Sequence, residues 1–73
     1  MAKLRVKSGR EDCAILARHG FASIRQKGSH IVMQRAEDTS TTTVVVPDHA
    51  ELKVGTLSAI IRQSGIEQSF FEA

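Results

Sequence analysis

Tyrosine and tryptophan are both missing from this chain, and it has only three phenylalanines. A surface that reads single-stranded bases by stacking needs several aromatic rings, so this composition argues against a stacking platform. There is one cysteine, Cys13, which excludes an intramolecular disulfide and suits a reducing compartment. Cys13, His30 and His49 show none of the short ligand spacings of a metal site, such as C-x₂-C or H-x₃-H. No metal and no cofactor are expected. No stretch approaches the ~20 apolar residues of a membrane span. The N-terminus, Met1 to Lys7, is basic but lacks the apolar run of a signal peptide. A cytoplasmic protein with no membrane partner is expected.

Charge of one sign is scarce as well. Ten Lys and Arg stand against eight Asp and Glu, a net charge of +2. That permits a nucleic-acid partner without demanding one. The distribution says more, since Lys3, Arg5, Lys7, Arg10, Arg18, Arg25, Lys27 and Arg35 all precede position 36. Glu37, Asp38, Asp48, Glu51, Glu67 and Glu72 follow it.

What the chain does have is enough apolar residue, 41%, to fold, and enough length, 73 residues, for a single domain over 1–73. Ser8-Gly9-Arg10-Glu11 fits a capping box, and a helix follows to about His19. Cys13, Leu16 and Ala17 fall at i, i+3 and i+4 as a narrow apolar stripe, with Ile15 off it. Gly20 then Phe21 reads as a Schellman end, with Phe21 against Leu16. Phe21 to Lys27 and His30 to Arg35 read as strands, with Ile31, Met33 and Arg35 sharing a face. Ala36 to Ser40 is a polar loop. Thr41 to Val46, six β-branched residues in a row, is the strongest strand, and Pro47 ends it. Asp48 to Gly55 is read as a loop and Thr56 as the N-cap of a second helix through Ser64. Leu57, Ile60, Ile61 and Ser64 form its inner stripe. Gly65-Ile66 repeats the Schellman signal, and Phe70 and Phe71 are placed to dock a last turn. The sum is an α+β fold of order αβββα, a three-stranded antiparallel sheet with two helices on one face. Leu16, Phe21, Val44 or Val45, Leu57, Ile60 and Ile61 are the expected core.

The stretch with chemistry in it is Arg25-Gln26-Lys27-Gly28-Ser29-His30. Gly28 supplies the backbone freedom of a tight turn between two strands. The turn presents two permanent cations beside an imidazole, the side chain that gives or takes a proton near neutral pH. Cations can hold a phosphodiester while the imidazole moves a proton. Each residue also has a plainer use: His30 and the cations as solvated surface, Ser29 as a turn former. Lys53 precedes the second helix, whose free amides attract anions. His49 is read first as closing its loop by a backbone hydrogen bond, with a second acid or base role as the alternative. His19 meets the negative end of the first helix. Cys13 is read as a small core residue and a poor nucleophile, since apolar burial raises a thiol pKa.

At Gly20-Phe21, Arg25-Gln26-Lys27-Gly28-Ser29-His30, Val46-Pro47-Asp48-His49 and Lys53-Val54-Gly55-Thr56-Leu57 the chain resembles the HicA family of toxins from toxin–antitoxin pairs. The resemblance runs from about Ser8 to Phe71. It implies a fold similar to a double-stranded-RNA-binding domain, and an endoribonuclease that cleaves mRNA and arrests growth. It makes His30 the catalytic histidine, with Gly28 shaping its turn. It also implies a HicB-type antitoxin that covers the site. Arg25, Lys27, Gly28, Ser29 and Lys53 are the residues expected to meet RNA. Two rivals stay open: a non-catalytic RNA-binding module of the same fold, and a protein-interaction module working through the open sheet face or an edge strand.

Overall fold

The structure, a computed structural model, describes residues 7–72. Apart from Lys7, the basic N-terminal stretch lies outside the described residues. The elements are α1 (Gly9–Arg18), β1 (Ala22–Lys27), β2 (His30–Ala36), β3 (Thr41–Pro47), α2 (Val54–Ser64) and a 3₁₀ turn (Gln68–Phe71). The strands form an antiparallel meander in the order β1-β2-β3, so the αβββα reading holds.

α1 starts as its sequence dictates. Ser8 Oγ accepts from Glu11 N at 3.0 Å, and Glu11 Oε1 accepts from Ser8 N at 2.8 Å. Both orphan amides of the capping box are thereby satisfied. At the other end, Phe21 N donates to Leu16 O and Gly20 N to Ala17 O, the two bonds of a Schellman motif. The apolar stripe needs correction, however. Ala17 faces solvent, and Cys13 and Ile15 are partly buried at the rim of the core. The centre of the buried face is Leu16 together with Asp12, which a purely apolar periodicity cannot find.

Asp12 is 0% exposed, and neither carboxylate oxygen has a hydrogen-bond partner. Burial pushes its carboxyl up to about 6, against the pull of the nearby Lys7 charge. Burial also pushes the Cys13 thiol up, as do the Asp12 and Asp48 charges, which fits an unreactive cysteine.

The core lies between the helices and one sheet face. Leu16, Phe21, Ile31, Met33, Val44, Val46, Leu57, Ile60, Ile61 and Phe71 fill it. Alternation decides between the two valines: Val44 is fully buried, and Val45 is 45% exposed on the open face. Phe71 docks the 3₁₀ turn under α1, whereas Phe70 stays outside in an edge-on contact with His19, their ring centroids 4.5 Å apart.

α2 begins earlier than expected. Lys53, not Thr56, is the N-cap, and no side chain caps the helix. Leu57 is the reason: it is buried, and its amide makes the first helical bond, to Lys53 O at 2.9 Å. That bond requires a full turn ahead of Leu57 and leaves Thr56 inside it. The end of α2 differs too. Gly65 has φ 73°, but Ile66 N donates to Ser64 Oγ, which itself donates to Ile61 O. A serine side chain relays the cap where a backbone Schellman pair was expected.

Arg35 lies on the helix side of β2, as its register with Met33 and Ile31 demands. Its guanidinium donates to His19 O and Ser64 O, the carbonyls at the ends of both helices, and stacks 4.7 Å from the Phe21 ring. Glu37 accepts from its Nε at 3.1 Å. Hydrogen bonds from Thr42 and then Arg35 hold the Glu37 carboxyl below its usual range.

Candidate active site at the Gly28–His30 turn

A regular β1 would hide its cations. Phe21 is 3% exposed, and residues 21, 25 and 27 would share its inward face if alternation ran unbroken. A β-bulge breaks it between Ser23 and Arg25, which leaves Ile24 as the extra, exposed residue. Beyond the bulge Arg25 pairs with Val32, and Lys27 pairs with His30. Ile31 and Met33 point into the core, so His30 and Val32 belong to the open face, and Arg25 and Lys27 belong with them. One inserted residue thus decides the face that Arg25 takes.

The turn itself is the two residues Gly28 and Ser29. Gly28 has φ 60°, and among the described residues only glycines have positive φ. A hairpin turn left-handed only at its first central residue is of the II′ kind, which wants glycine there. His30 is therefore the first residue after the turn, exposed and directly across the ladder from Lys27.

On its other side His30 pairs with Pro47, the last residue of β3. Pro47 also walls a cleft of about 260 Å³ lined further by His49, Glu51, Leu52, Lys53 and Thr56. Lys53 and His49 thus lie past a neighbouring strand about 5 Å from β2. Arg25, Lys27, Ser29 and His30 come together around the turn; Lys53 stands apart at the start of α2. The His49 carbonyl accepts from Gly9 N at 2.8 Å, the loop-closing bond expected of it. Gly9 can approach so closely because a Cβ there would run into the Pro47 carbonyl. Among the described residues no group of three or more His, Cys, Asp or Glu is arranged to hold a metal ion.

Sequence reasoning assigned no role to the residues beneath the turn. Asp48 N donates to Ser29 O at 2.6 Å. The Asp48 carboxylate accepts from Gln26 Nε2 at 3.1 Å, and the same Gln26 amide donates to Gly28 O at 3.1 Å. Arg10 adds its Nε and Nη2 to the carboxylate at 3.2 and 3.3 Å. Hydrogen bonds from Arg10 and then Gln26 hold the Asp48 carboxyl below its usual range. Alternation counted from Phe21 would turn Gln26 outward; it faces the helix side because, past the bulge, it pairs with the buried Ile31.

An αβββα domain carrying an exposed histidine and two cations on its open sheet face is the class of protein defined so far. The family model for the HicA toxin of bacterial toxin–antitoxin systems matches residues 9–66, and the chain belongs to that family. No match is found among curated proteins. Family membership makes the chain a toxin of a toxin–antitoxin system, with an antitoxin as partner. Among the described residues no helix is long and apolar enough to cross a membrane.

Proposed function

We propose that this toxin is an endoribonuclease that cleaves mRNA without a metal ion, with His30 as its proton-transfer residue. The observation that carries the reading is the bulge at Ile24, which puts Arg25 and Lys27 on the same open face as His30. In strand cleavage the 2′-oxygen attacks the adjacent phosphorus, the bond to the 5′-oxygen breaks, and one proton leaves the first oxygen while another reaches the second. A neutral imidazole can take the first proton, and an imidazolium can deliver the second. Arg25 and Lys27 would hold the phosphate and offset the charge that develops on it. Lys53 and the Gly28–Ser29 turn would meet flanking phosphates. A HicB-type antitoxin would silence the toxin in the cytoplasm by covering the Gly28–His30 turn with an acidic patch.

Purified protein incubated with RNA and EDTA tests this. The wild type fragments RNA; His30→Ala keeps its fold and most RNA affinity but cleaves about 10²–10⁴-fold more slowly. His49→Ala has the milder effect. RNA that is shifted but never cut by the wild type would make the protein a binding module, and wild-type cleavage by His30→Ala would remove His30 from the chemistry.

A further inference from the structure

We propose that Asp48, acting through Gln26 and the turn backbone, is a positioning residue that fixes His30 for proton transfer. The inference rests on the reading of His30 as the catalytic group.

His30 stands at the junction of a two-residue turn and an exposed strand end. Gly28 leaves that turn conformationally free, so something else must hold it. Two bonds do. Asp48 N grips Ser29 O at 2.6 Å, and Gln26 Nε2 grips Gly28 O at 3.1 Å. Both turn carbonyls are therefore anchored, and both anchors converge on Asp48, because the second Gln26 hydrogen goes to Asp48 Oδ2 at 3.1 Å. Asp48 itself does not float. Its side chain is 21% exposed, held by Arg10 from α1, and Gly9 N bonds the next residue's carbonyl, that of His49. The first turn of α1, the end of β3 and the β1–β2 turn become one braced unit, with His30 at its edge.

Reaction rates are steep in geometry: a misplacement of about 1 Å at a catalytic group can cost about 10²-fold. Loosening this brace should change the chemistry more than it changes RNA capture, since Arg25 and Lys27 lie on the opposite sheet face from Gln26.

The experiment is steady-state cleavage of one RNA by the wild type, Asp48→Ala, Asp48→Asn, Gln26→Ala and His30→Ala, with amide hydrogen exchange measured on the same samples. Asp48→Ala and Gln26→Ala should each lower kcat about tenfold to a hundredfold with KM within about threefold of wild type. They should also speed exchange at the turn while leaving the core strands protected. Asp48→Asn keeps an oxygen for the Gln26 amide and should recover most of the rate. His30→Ala separates the two claims. Cleavage that survives in it overturns the catalytic reading and the positioning role with it. Cleavage lost in His30→Ala yet unchanged in both Asp48→Ala and Gln26→Ala overturns the positioning role alone. A raised KM at constant kcat would make the network part of RNA binding, and failure of Asp48→Asn to recover the rate would reject a brace built on hydrogen bonds.

Discussion

Arg35 and Asp48 sit at opposite ends of the sheet, and each ties several chain segments to a single charged side chain. Arg35 collects His19 O, Ser64 O, the Phe21 ring and Glu37. Asp48 collects Gln26, Arg10 and, through its amide, Ser29. The partners differ in kind. Those of Arg35 are mostly helix-end carbonyls and a core ring, in a part-buried setting where a lost bond is not replaced by water. Those of Asp48 are exposed side chains and a turn that solvent can reach. The same device therefore does two jobs. At the Arg35 end it holds helices to sheet; at the Asp48 end it orders a turn, with little of the fold resting on it.

The comparison breaks most readily at Arg35. Arg35→Ala leaves two helix-end carbonyls without their charged donor and uncovers one face of Phe21. The expected loss is about 2–4 kcal/mol, the exposed Glu37 pair left aside. Arg35→Lys should recover little, since an ammonium cannot fork to both helix ends and lie flat on a ring. Urea denaturation measures both. A wild-type midpoint for Arg35→Ala would mean that the two helices need no common tie.

How legible all this was depends on how local the cause was. The capping box at Ser8 and the Schellman end at Gly20-Phe21 are contained in four to six consecutive residues, and both formed as read. The β-branched run and the Gly28 turn are local in the same way. The bulge at Ile24 is not: it arises because Phe21 must enter the core while Lys27 must face His30, two demands set by different neighbours. The start of α2 at Lys53 was missed because the burial of Leu57 outweighed the cap preference of Thr56. Asp48 and Arg10 are 38 residues apart, and no spacing rule joins them. The family motif is what singles out His30 as a candidate; the bonds that hold its turn have no such local signal.

A smaller effect comes from Asp12, the buried charge that belongs to neither tie. Its folded-state pKa of about 6 stands above the ordinary 3.8. A raised carboxylate pKa favours the folded state where the group is protonated, so its contribution is complete below about 3.8 and lost as pH rises through about 6. Between pH 4.5 and 7 the wild type should lose on the order of 2 kcal/mol from this group. In Asp12→Asn the same pH interval should be nearly flat. Parallel stability curves for the two proteins would show that Asp12 is not ionised at a cost.

The smallest effect is expected at Arg10, and it sharpens the contrast most. Arg10 is 78% exposed, and its bond to Asp48 at 3.2 Å is a surface ion pair. Such pairs lose most of their Coulomb gain to water and to the ordering of a long side chain. Arg10→Ala should therefore melt within about 2 °C of the wild type. Asp48 should nevertheless feel the change. Losing its first hydrogen-bond donor, its carboxyl should rise back toward the ordinary range, while the bond from Gln26 keeps it from returning fully. An NMR titration of the Asp48 side chain reads that shift directly. Adding about 0.5 M salt should shrink the difference between the two proteins, because an exposed pair is screened over a few ångströms. A fall in melting temperature of more than about 5 °C would place real folding energy in the Arg10–Asp48 pair. The two ends of the sheet would then differ in chemistry only, and not in how much of the fold depends on them.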